Sequence, residues 1–313
     1  GHIPVLLSEL LSLLDPRDGE TYVDLTAGLG GHAAALAPAL GATGTVVLFD
    51  LDPGNLERAV AAVRAANPHC GVEAHHASFA AAPRLLRETG RAADLMLADL
   101  GFSSNQMGSA ERGLSFQQDG PLDMRLDPTG PTTAADLVNE LSQGELADLI
   151  RRFGEERYAG RIARILVEER KRRPIQTTAR LAELVRRAYG KHAGRQRIDP
   201  ATRTFQALRI AVNDELGHLT ALLDELARSV SREGTARWLR PGARIALIAF
   251  HSLEDRLGKR AFAELAARQV AELLTRRPVS AEASEVAGNP RARSAKLRAV
   301  RLSAASGCSP QTV

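Results

Sequence analysis

The chain has 313 residues, of which 44% are hydrophobic, with a formal net charge of +4 and a pI of about 9.4. This length supports a full hydrophobic core in one large domain or two, and the sequence shows neither an apolar run of transmembrane length nor the pattern of a signal peptide, so we expect no membrane partner. Its two cysteines, Cys70 and Cys308, lack the spacing of a disulfide framework or a zinc site, so we expect a cytoplasmic protein without a metal.

The positive charge is concentrated in one segment. Residues 151–203 contain 16 Lys and Arg against 6 Asp and Glu, a local net charge of +10, which leaves −6 for the rest of the chain. An excess of this size is typical of a surface that binds a polyanion. A solvated helical surface explains it equally well, because both signs are mixed within Glu168–Arg173, so charge alone leaves both interpretations open.

A strand that breaks into glycines lies near the start of the chain. Residues 3–14 carry apolar side chains at helical spacing and predict a helix before it. The segment Thr21–His32 then predicts a buried strand, a tight turn and the start of a helix, and the glycines of the turn are Gly28, Gly30 and Gly31. This order predicts the first unit of a doubly wound α/β sheet, in which ligands bind at the carboxyl ends of the strands.

The second predicted strand, Thr45–Asp50, ends in a carboxylate that can accept hydrogen bonds from both hydroxyls of a ribose. The preceding turn lacks the G-x-G-x-x-G spacing that binds a pyrophosphate, which favours an adenosine without phosphates over NAD. We therefore predict S-adenosylmethionine as the cofactor. The alternative is an ordinary turn in which Asp50 caps the next helix.

The alternation of strands and helices continues to a fourth strand. A helix is predicted over Pro53–Ala66 and a short strand over Val72–His75, after which Phe79 covers either an adenine ring or the core. The fourth strand, Ala93–Leu100, carries Asp99 near its carboxyl end. Because the carboxyl ends of parallel strands meet at one edge of the sheet, we expect this second carboxylate to share a crevice with the first.

The alternation stops between about Gly113 and Thr204, where amphipathic helices predict an all-helical insertion that holds most of the basic excess. The N-caps predicted for these helices are Ser142 and either Thr177 or Thr178. A long helix begins at Pro200, and its apolar stripe predicts packing against the sheet. Off that stripe lie polar side chains that either reach a phosphate or face solvent: Arg203, Gln206, Arg209 and Asn213.

The last strands complete the sheet. Ala243–Phe250 predicts the fifth strand, and His251 after it is either a base or a structural hydrogen bonder, the commoner role of a lone histidine at a strand end. Leu273–Val279 and Lys296–Leu302 predict the final two strands. The predicted fold is therefore α/β, a doubly wound Rossmann-like sheet with an inserted all-helical domain.

Several specific motifs follow one another along the chain. They are His2-x-Pro4-Val-Leu-Leu, Asp24-x-Thr26-x-Gly28-x-Gly30-Gly31-His32, Asp99-Leu-Gly-x-Ser-Ser-x-Gln106, Arg112-Gly-x-Ser-Phe, Gly120-Pro-Leu-Asp-Met-Arg125, Gly154-Glu-Glu-Arg157, Pro200-Ala-Thr-Arg-Thr-Phe-Gln206 and Phe250-His-Ser-Leu-Glu-Asp-Arg256. Together, from His2 to about Leu302, these motifs closely resemble the bacterial RsmH (MraW) family.

The resemblance implies a class I methyltransferase that transfers a methyl group from S-adenosylmethionine to the exocyclic N4 of a cytidine in the decoding region of small-subunit ribosomal RNA. It implies a methyltransferase domain over residues 1–112 and 205–313 and an inserted helical RNA-binding domain over residues 113–204. By the same resemblance the substrate is an assembled or nearly assembled subunit. The sequence leaves the oligomeric state open, with a homodimer as one alternative.

Carried over motif by motif, the resemblance assigns cofactor contacts to Gly30, Gly31 and His32 in the turn, Asp50 on the ribose, Phe79 beside the adenine, and Asp99 and Gln106 near the methionine end. Asp99 is also the predicted catalytic acceptor of an N–H from the cytosine amine. The Asp/Asn-Pro-Pro-aromatic motif of other amine methyltransferases is absent, so a backbone carbonyl or His251 is an alternative acceptor. A small-molecule methyltransferase and a non-catalytic RNA-binding assembly factor are the competing functions.

Overall fold

The computed structural model describes residues 4–101, 109–190, 198–230 and 237–304. The chain divides into two compact units, one formed by Gly1–Gly101 with Gly217–Val313 and the other by Phe102–Leu216. The junctions lie at 101/102 and 216/217, whereas the sequence predicts them at 112/113 and 204/205. The second junction differs because the helix that begins at Ala201 packs within the helical unit.

The first unit is built on a seven-stranded sheet of order β3-β2-β1-β4-β5-β7-β6. Strands β1 to β5 pair in parallel, and β7 pairs antiparallel with β5 and β6. This sheet confirms the predicted α/β fold. The strands are β1 (Thr21–Asp24), β2 (Thr45–Asp50), β3 (Gly71–His76), β4 (Ala93–Asp99), β5 (Leu239–Ala249), β6 (Ala271–Leu273) and β7 (Lys296–Leu302).

None of the described helices is long and apolar enough to cross a membrane. They are α1 (Leu7–Leu14), α2 (Gly31–Leu36), α3 (Pro53–Ala66), α4 (Ala82–Glu88), α5 (Ala134–Glu140), α6 (Gln143–Gly154), α7 (Ala159–Arg170), α8 (Thr178–Tyr189), α9 (Ala201–Val212), α10 (Glu215–Ser229), α11 (Ser252–Ala267) and α12 (Ala283–Gly288).

Both faces of the sheet are buried. Leu48 and Leu97 lie in a core with residues of α1, α2 and α3, while Val47 and Met96 face a second core with residues of α4, α10 and α11. Parallel strands that are covered on both faces are apolar at every position rather than at alternate ones. This explains why the strands are visible in the sequence as continuous hydrophobic runs.

The helical unit has a core of its own, formed by residues of α5 to α9 such as Ile150, Leu166 and Leu181. Ser142 caps α6 in a reciprocal capping box, and the Thr177 side chain accepts a hydrogen bond at the start of α8. The predicted caps at these two positions are confirmed, with Thr177 rather than Thr178 as the cap of α8.

The long helix predicted from Pro200 is wrong, because the chain forms two helices that separate at Asn213 and Asp214. Asp214 has a positive φ of 45°, and the side chain of Asn213 accepts from the Leu126 N–H at 2.7 Å and donates to the Met124 carbonyl at 2.8 Å. The apolar stripe is therefore divided. Its first part lies in the core of the helical unit, and only its second part packs on the sheet.

The edge strand begins two residues earlier than predicted and is shorter, so it shares only Leu273 with the predicted Leu273–Val279. β6 ends at Leu273, and of the predicted residues beyond it only Val279 makes a strand-like bridge, to Leu297. The Thr275 hydroxyl accepts a hydrogen bond from the Ala299 N–H at 2.9 Å, in place of a backbone carbonyl. This side-chain bond ends the regular ladder, because a strand continues only while backbone groups pair with each other.

Candidate functional site

Three carboxylates lie at the carboxyl ends of neighbouring strands. Asp24 ends β1 and is in register with Leu48 of β2 on one side and Leu97 of β4 on the other. Asp50 of β2 and Asp99 of β4 each lie two residues beyond those partners. The two carboxylates are therefore at the same level along the strands, on either side of β1. The two acids predicted from the sequence therefore flank the turn that follows β1.

The glycine turn connects β1 to α2 under tight constraints. Its backbone has a positive φ at Gly28 (52°) and Gly30 (78°), and the Gly28 N–H donates to Asp50 Oδ2 at 2.7 Å. A Cβ on Gly30 would lie 2.6 Å from the Cα of Ala59 in α3. Glycine at this position is thus required both by the backbone conformation and by the close approach of α3.

Asp50 holds two backbone segments together at the end of β2. Besides the bond to Gly28, its Oδ1 accepts from the Asp52 N–H at 2.8 Å. Burial raises the pKa of Asp50 to about 6, although these backbone hydrogen bonds favour the charged form. The cap of α3 is Asp52, whose side chain accepts from Gly54 and Asn55, so the alternative role considered for Asp50 is excluded.

Asp99 lies at the end of β4, and one of its two carboxylate oxygens accepts no hydrogen bond from the described residues. Its N–H donates to Thr26 Oγ1 at 2.7 Å, whereas its Oδ1 is buried and has no hydrogen-bond partner among the described residues. Burial raises the pKa of Asp99, the charges of His32 and Arg291 oppose that rise, and the charge of Glu254 adds to it. A buried carboxylate oxygen without a donor is the kind of atom to which a ligand N–H binds.

His32, in the first turn of α2, faces this carboxylate. Its Nε2 lies 2.9 Å from the Val5 carbonyl, and its Nδ1 lies 3.7 Å from Asp99 Oδ2. Because a carbonyl oxygen only accepts, Nε2 carries a proton, and Nδ1 is the nitrogen turned toward the acid.

Asp24 is a buried member of the site that sequence reasoning did not single out. Its side chain is 1% exposed and accepts from the Thr26 N–H and the Tyr22 hydroxyl, both at 3.1 Å. Burial raises the pKa of Asp24 to about 6. Its signal in the sequence is a carboxylate that ends an otherwise apolar strand, next to the turn.

The MraW methylase family model matches residues 1–303 of the chain. The chain belongs to the MraW methylase family. A protein of Acidobacterium capsulatum named ribosomal RNA small subunit methyltransferase H is 47% identical over 303 residues, which cover 95% of this chain and 97% of the relative. A protein of the same name from Symbiobacterium thermophilum is 45% identical over 315 residues, which cover 96% of each chain.

Membership of the MraW methylase family confirms the resemblance predicted from the motifs. It also confirms methyl transfer as the class of reaction, with S-adenosylmethionine as the cofactor.

The remaining predicted site residues of this MraW-family chain lie in different surroundings. Gly31 is the first residue of α2, and Phe79 is half-buried at the edge of the second core, with its ring edge-on to His218 at 6.0 Å between centroids. Gln106 lies outside the described residues.

His251 caps α11. Its Nδ1 lies 3.4 Å from the Glu254 N–H, and its Nε2 lies 3.1 Å from Glu254 Oε1. The structural role considered for this histidine from the sequence is therefore the one the described residues give it. Glu254 and Arg291, whose charges act on Asp99, were not anticipated, because they come from segments more than 150 residues away along the chain.

Proposed function

We propose that the protein transfers a methyl group from S-adenosylmethionine to the exocyclic N4 of a cytidine in the decoding region of small-subunit ribosomal RNA. The observation that carries this proposal is the buried Oδ1 of Asp99 at the end of β4, which has no hydrogen-bond partner among the residues that the structure describes. The names of the two relatives support the ribosomal RNA of the small subunit as the substrate class. The basic excess of residues 151–203 supports a polyanionic substrate.

The described residues fit the cofactor. Asp50 accepts one backbone N–H at each oxygen and a further hydrogen bond from the side chain of Asn55, and a carboxylate offers about four acceptor positions, which leaves one for a hydroxyl of a ribose. In the proposal Gly30, Gly31 and His32 line the cofactor on the side of the turn, and Phe79 lies beside the adenine. In the same proposal Asp99 lies near the methionine end, where the family motif alone also assigns Gln106, a residue outside the described ranges.

Asp99 is the proposed catalytic residue. The exocyclic amine of cytosine is a poor nucleophile, because its lone pair is delocalised into the ring. An acceptor that binds one N–H localises that pair and afterwards takes the released proton. When bound, S-adenosylmethionine supplies an electrophilic methyl group on a positively charged sulfur. Burial raises the pKa of Asp99, and the positive charge of Arg291 opposes that rise and so favours the ionised form, which is the form that accepts.

The helical unit is proposed to hold the RNA. A base reaches a pocket at the sheet only after it leaves its stack, so the substrate must be held while one nucleotide is extruded. We take the substrate to be an assembled or nearly assembled small subunit, because the target is a nucleotide of the decoding region.

Labelled methyl transfer tests this function. Purified protein is incubated with labelled S-adenosylmethionine and either unmodified small subunits or large subunits as the control, and the RNA is digested to nucleosides. We expect label only in N4-methylcytidine and only from small subunits. Label in another nucleoside would contradict N4 of cytidine as the acceptor. Methyl transfer to a small molecule, at a rate that does not depend on salt, would contradict RNA as the substrate.

A further inference from the structure

Two motifs that the catalytic site does not use meet at one end of the helical unit. Gly154-Glu-Glu-Arg157 ends α6, and Pro200–Gln206 begins α9. Arg203 Nη1 donates to the Glu155 carbonyl at 3.1 Å, and Gln206 Nε2 donates to the Phe153 carbonyl at 3.1 Å. Side chains of α9 therefore satisfy the last carbonyls of α6 and fix the two motifs against each other.

A buried carboxylate lies beneath this junction. Glu156 is 1% exposed, and its two oxygens accept from the Tyr158 N–H at 2.8 Å and from the Tyr189 hydroxyl. The rings of Tyr158 and Tyr189 lie 4.6 Å apart between centroids. Both oxygens of Glu156 are thus engaged in the interior, so this carboxylate serves the packing of α7 and α8 rather than the neutralisation of surface cations.

Three exposed arginines surround the junction, and we call Arg157, Arg161 and Arg203 the arginine cluster. The Arg157 guanidinium lies 4.9 Å from the centroid of the Tyr158 ring, and Arg161 Nη2 lies 3.8 Å from the position of a Cβ on Gly190, just after Tyr189. The charges of Arg157 and Arg203 both act on the Tyr189 hydroxyl. The three side chains therefore project from one surface.

The arginine cluster differs from those arginines of the helical unit that are paired with carboxylates. Within the described part of the chain none of its three members forms an ion pair with a carboxylate. By contrast, ion pairs are formed by Arg164 with Glu168, Arg180 with Glu169 and Arg186 with Asp199. Glu155 is an exposed acidic residue beside the cluster. Its backbone carbonyl, rather than its carboxylate, accepts the hydrogen bond from Arg203.

The stability of α7 and α9 themselves does not explain Arg161 and Arg203, although Arg203 also binds the Glu155 carbonyl at the end of α6. Arg161 and Arg203 are each the third residue of their helices, α7 and α9, and neither helix has an acidic residue in its first turn. The N-terminus of a helix carries partial positive charge, so a cation there is unfavourable for the isolated helix. A bound anion offsets this unfavourable interaction of the two arginines with the helix N-termini.

We propose that the arginine cluster binds backbone phosphates of the RNA substrate, an inference that rests on the proposed function. Guanidinium groups bind phosphate oxygens in pairs of parallel hydrogen bonds, and the half-buried Tyr158 ring beside them offers an apolar face to a sugar or a base. This combination favours RNA over an acidic protein segment, which presents carboxylates without planar bases.

The test compares two double variants with the same loss of charge. R157Q/R161Q removes two members of the arginine cluster, and R172Q/R173Q removes two exposed arginines beyond the other end of α7. Binding to unmodified small subunits is measured over a range of salt concentrations. For R157Q/R161Q we expect an affinity about 10- to 100-fold lower and a slope of log affinity against log salt that is smaller by about 1 to 2. The control variant should behave as wild type.

Three further measurements make the outcome decisive. The melting temperature and the affinity for S-adenosylmethionine of R157Q/R161Q should match wild type, which separates lost RNA contacts from misfolding. Poly(U) should compete for binding, and polyglutamate of equal charge should not. Equal losses in both double variants, no loss in either, or competition by polyglutamate alone would overturn the arginine cluster as an RNA site. Wild-type protein that binds subunits through the cluster but transfers no methyl group would overturn the proposed function instead.

Discussion

At the scale of single residues, the unusual feature is a carboxylate oxygen of Asp99 that is buried without a hydrogen-bond partner among the described residues. Asp99 Oδ1 loses its hydration at the end of β4 and gains no donor among the described residues in return. Such an atom costs free energy in the free protein unless a ligand supplies the donor. The burial of Asp99 is therefore unfavourable for the free protein, and in the proposed function the substrate amine supplies the missing donor.

The variant D99N should lose methyl transfer by a factor of about 10² to 10⁴, because an amide oxygen accepts a hydrogen bond but does not take up the released proton. Affinity for S-adenosylmethionine should change by less than about tenfold, since one contact near the methionine end is kept. Single-turnover transfer and calorimetric titration measure the two quantities. D94N, at the other end of β4, is the control. Turnover that survives while cofactor binding weakens would make Asp99 a binding residue only.

Asp24 should make stability depend on pH in a defined window. Its pKa is about 6 in the folded protein against an ordinary value of 3.8, so between those values the folded state holds more protons than the unfolded state. Stability due to Asp24 is therefore highest below pH 4 and falls as the pH rises to about 6, by roughly 3 kcal/mol in total. D24N should remove this loss.

Urea unfolding at pH 4 and pH 8 measures the effect of D24N. We expect the variant to gain stability relative to wild type at pH 8 and to show no gain at pH 4. Asp50 and Asp99 titrate in both proteins, so the difference between the two proteins is the quantity to compare. A difference that does not change with pH would contradict the raised pKa of Asp24.

At the scale of elements, the turn between β1 and α2 combines two demands on one glycine. G30A should cost about 2 to 4 kcal/mol, because it adds a left-handed backbone strain to a contact of 2.6 Å with the Cα of Ala59. G90A is the matched control, since Gly90 has a φ of +68° with nothing within 4 Å, and it should cost about 1 kcal/mol. Equal costs in denaturant unfolding would show that α3 does not constrain the turn.

One buried hydrogen bond joins the segment before α7 to the end of α8. Y189F removes the hydroxyl that donates to Glu156, and it should lower the free energy of unfolding by about 1 to 3 kcal/mol because a buried acceptor loses its partner. Y158F is the control, as the Tyr158 hydroxyl has no hydrogen bond among the described residues and its loss should be nearly neutral. Thermal unfolding of both variants decides whether the bond stabilises the helical unit.

The sequence predicts elements well where local pattern and burial agree. The strands β1, β2 and β4 were recognisable because both of their faces are buried, and the helix Pro53–Ala66 was predicted with its observed bounds because Pro53 and the apolar spacing mark it. The break at Asp214 was not predictable, because it depends on bonds from Asn213 to residues almost ninety positions earlier. The end of β6 depends in the same way on Thr275 and Ala299.

The same distinction applies to the candidate site, where positions set by local pattern were predictable and contacts between distant segments were not. Asp50 and Asp99 were predictable from their positions at strand ends, and β-sheet geometry alone places them on either side of the turn. The partners that set their charge were not. His32 against the Val5 carbonyl, and Arg291 acting on Asp99, are known only once distant segments are folded together.

At the scale of the whole molecule, the two units have different proposed tasks, and the positive charge is concentrated in one segment of the helical unit rather than in that unit as a whole. The net positive charge lies in residues 151–203 of the helical unit, while the remainder of the chain is net negative. Several arginines of the helical unit are already paired with carboxylates, so the local excess alone overstates the cationic surface that is free to meet a polyanion. Within the described ranges the three members of the arginine cluster form no ion pair with a carboxylate, and they lie together at one end of the helical unit.

The central claim is that Asp99 directs methyl transfer to one cytidine amine of the small subunit. Nucleoside mass spectrometry of small-subunit RNA, from cells that lack the gene and from the same cells supplied with wild-type protein or D99N, tests it most directly. We predict that a single N4-methyl mark in the decoding region is absent without the gene, returns with wild type and stays absent with D99N. An unchanged modification pattern in cells without the gene would contradict the account.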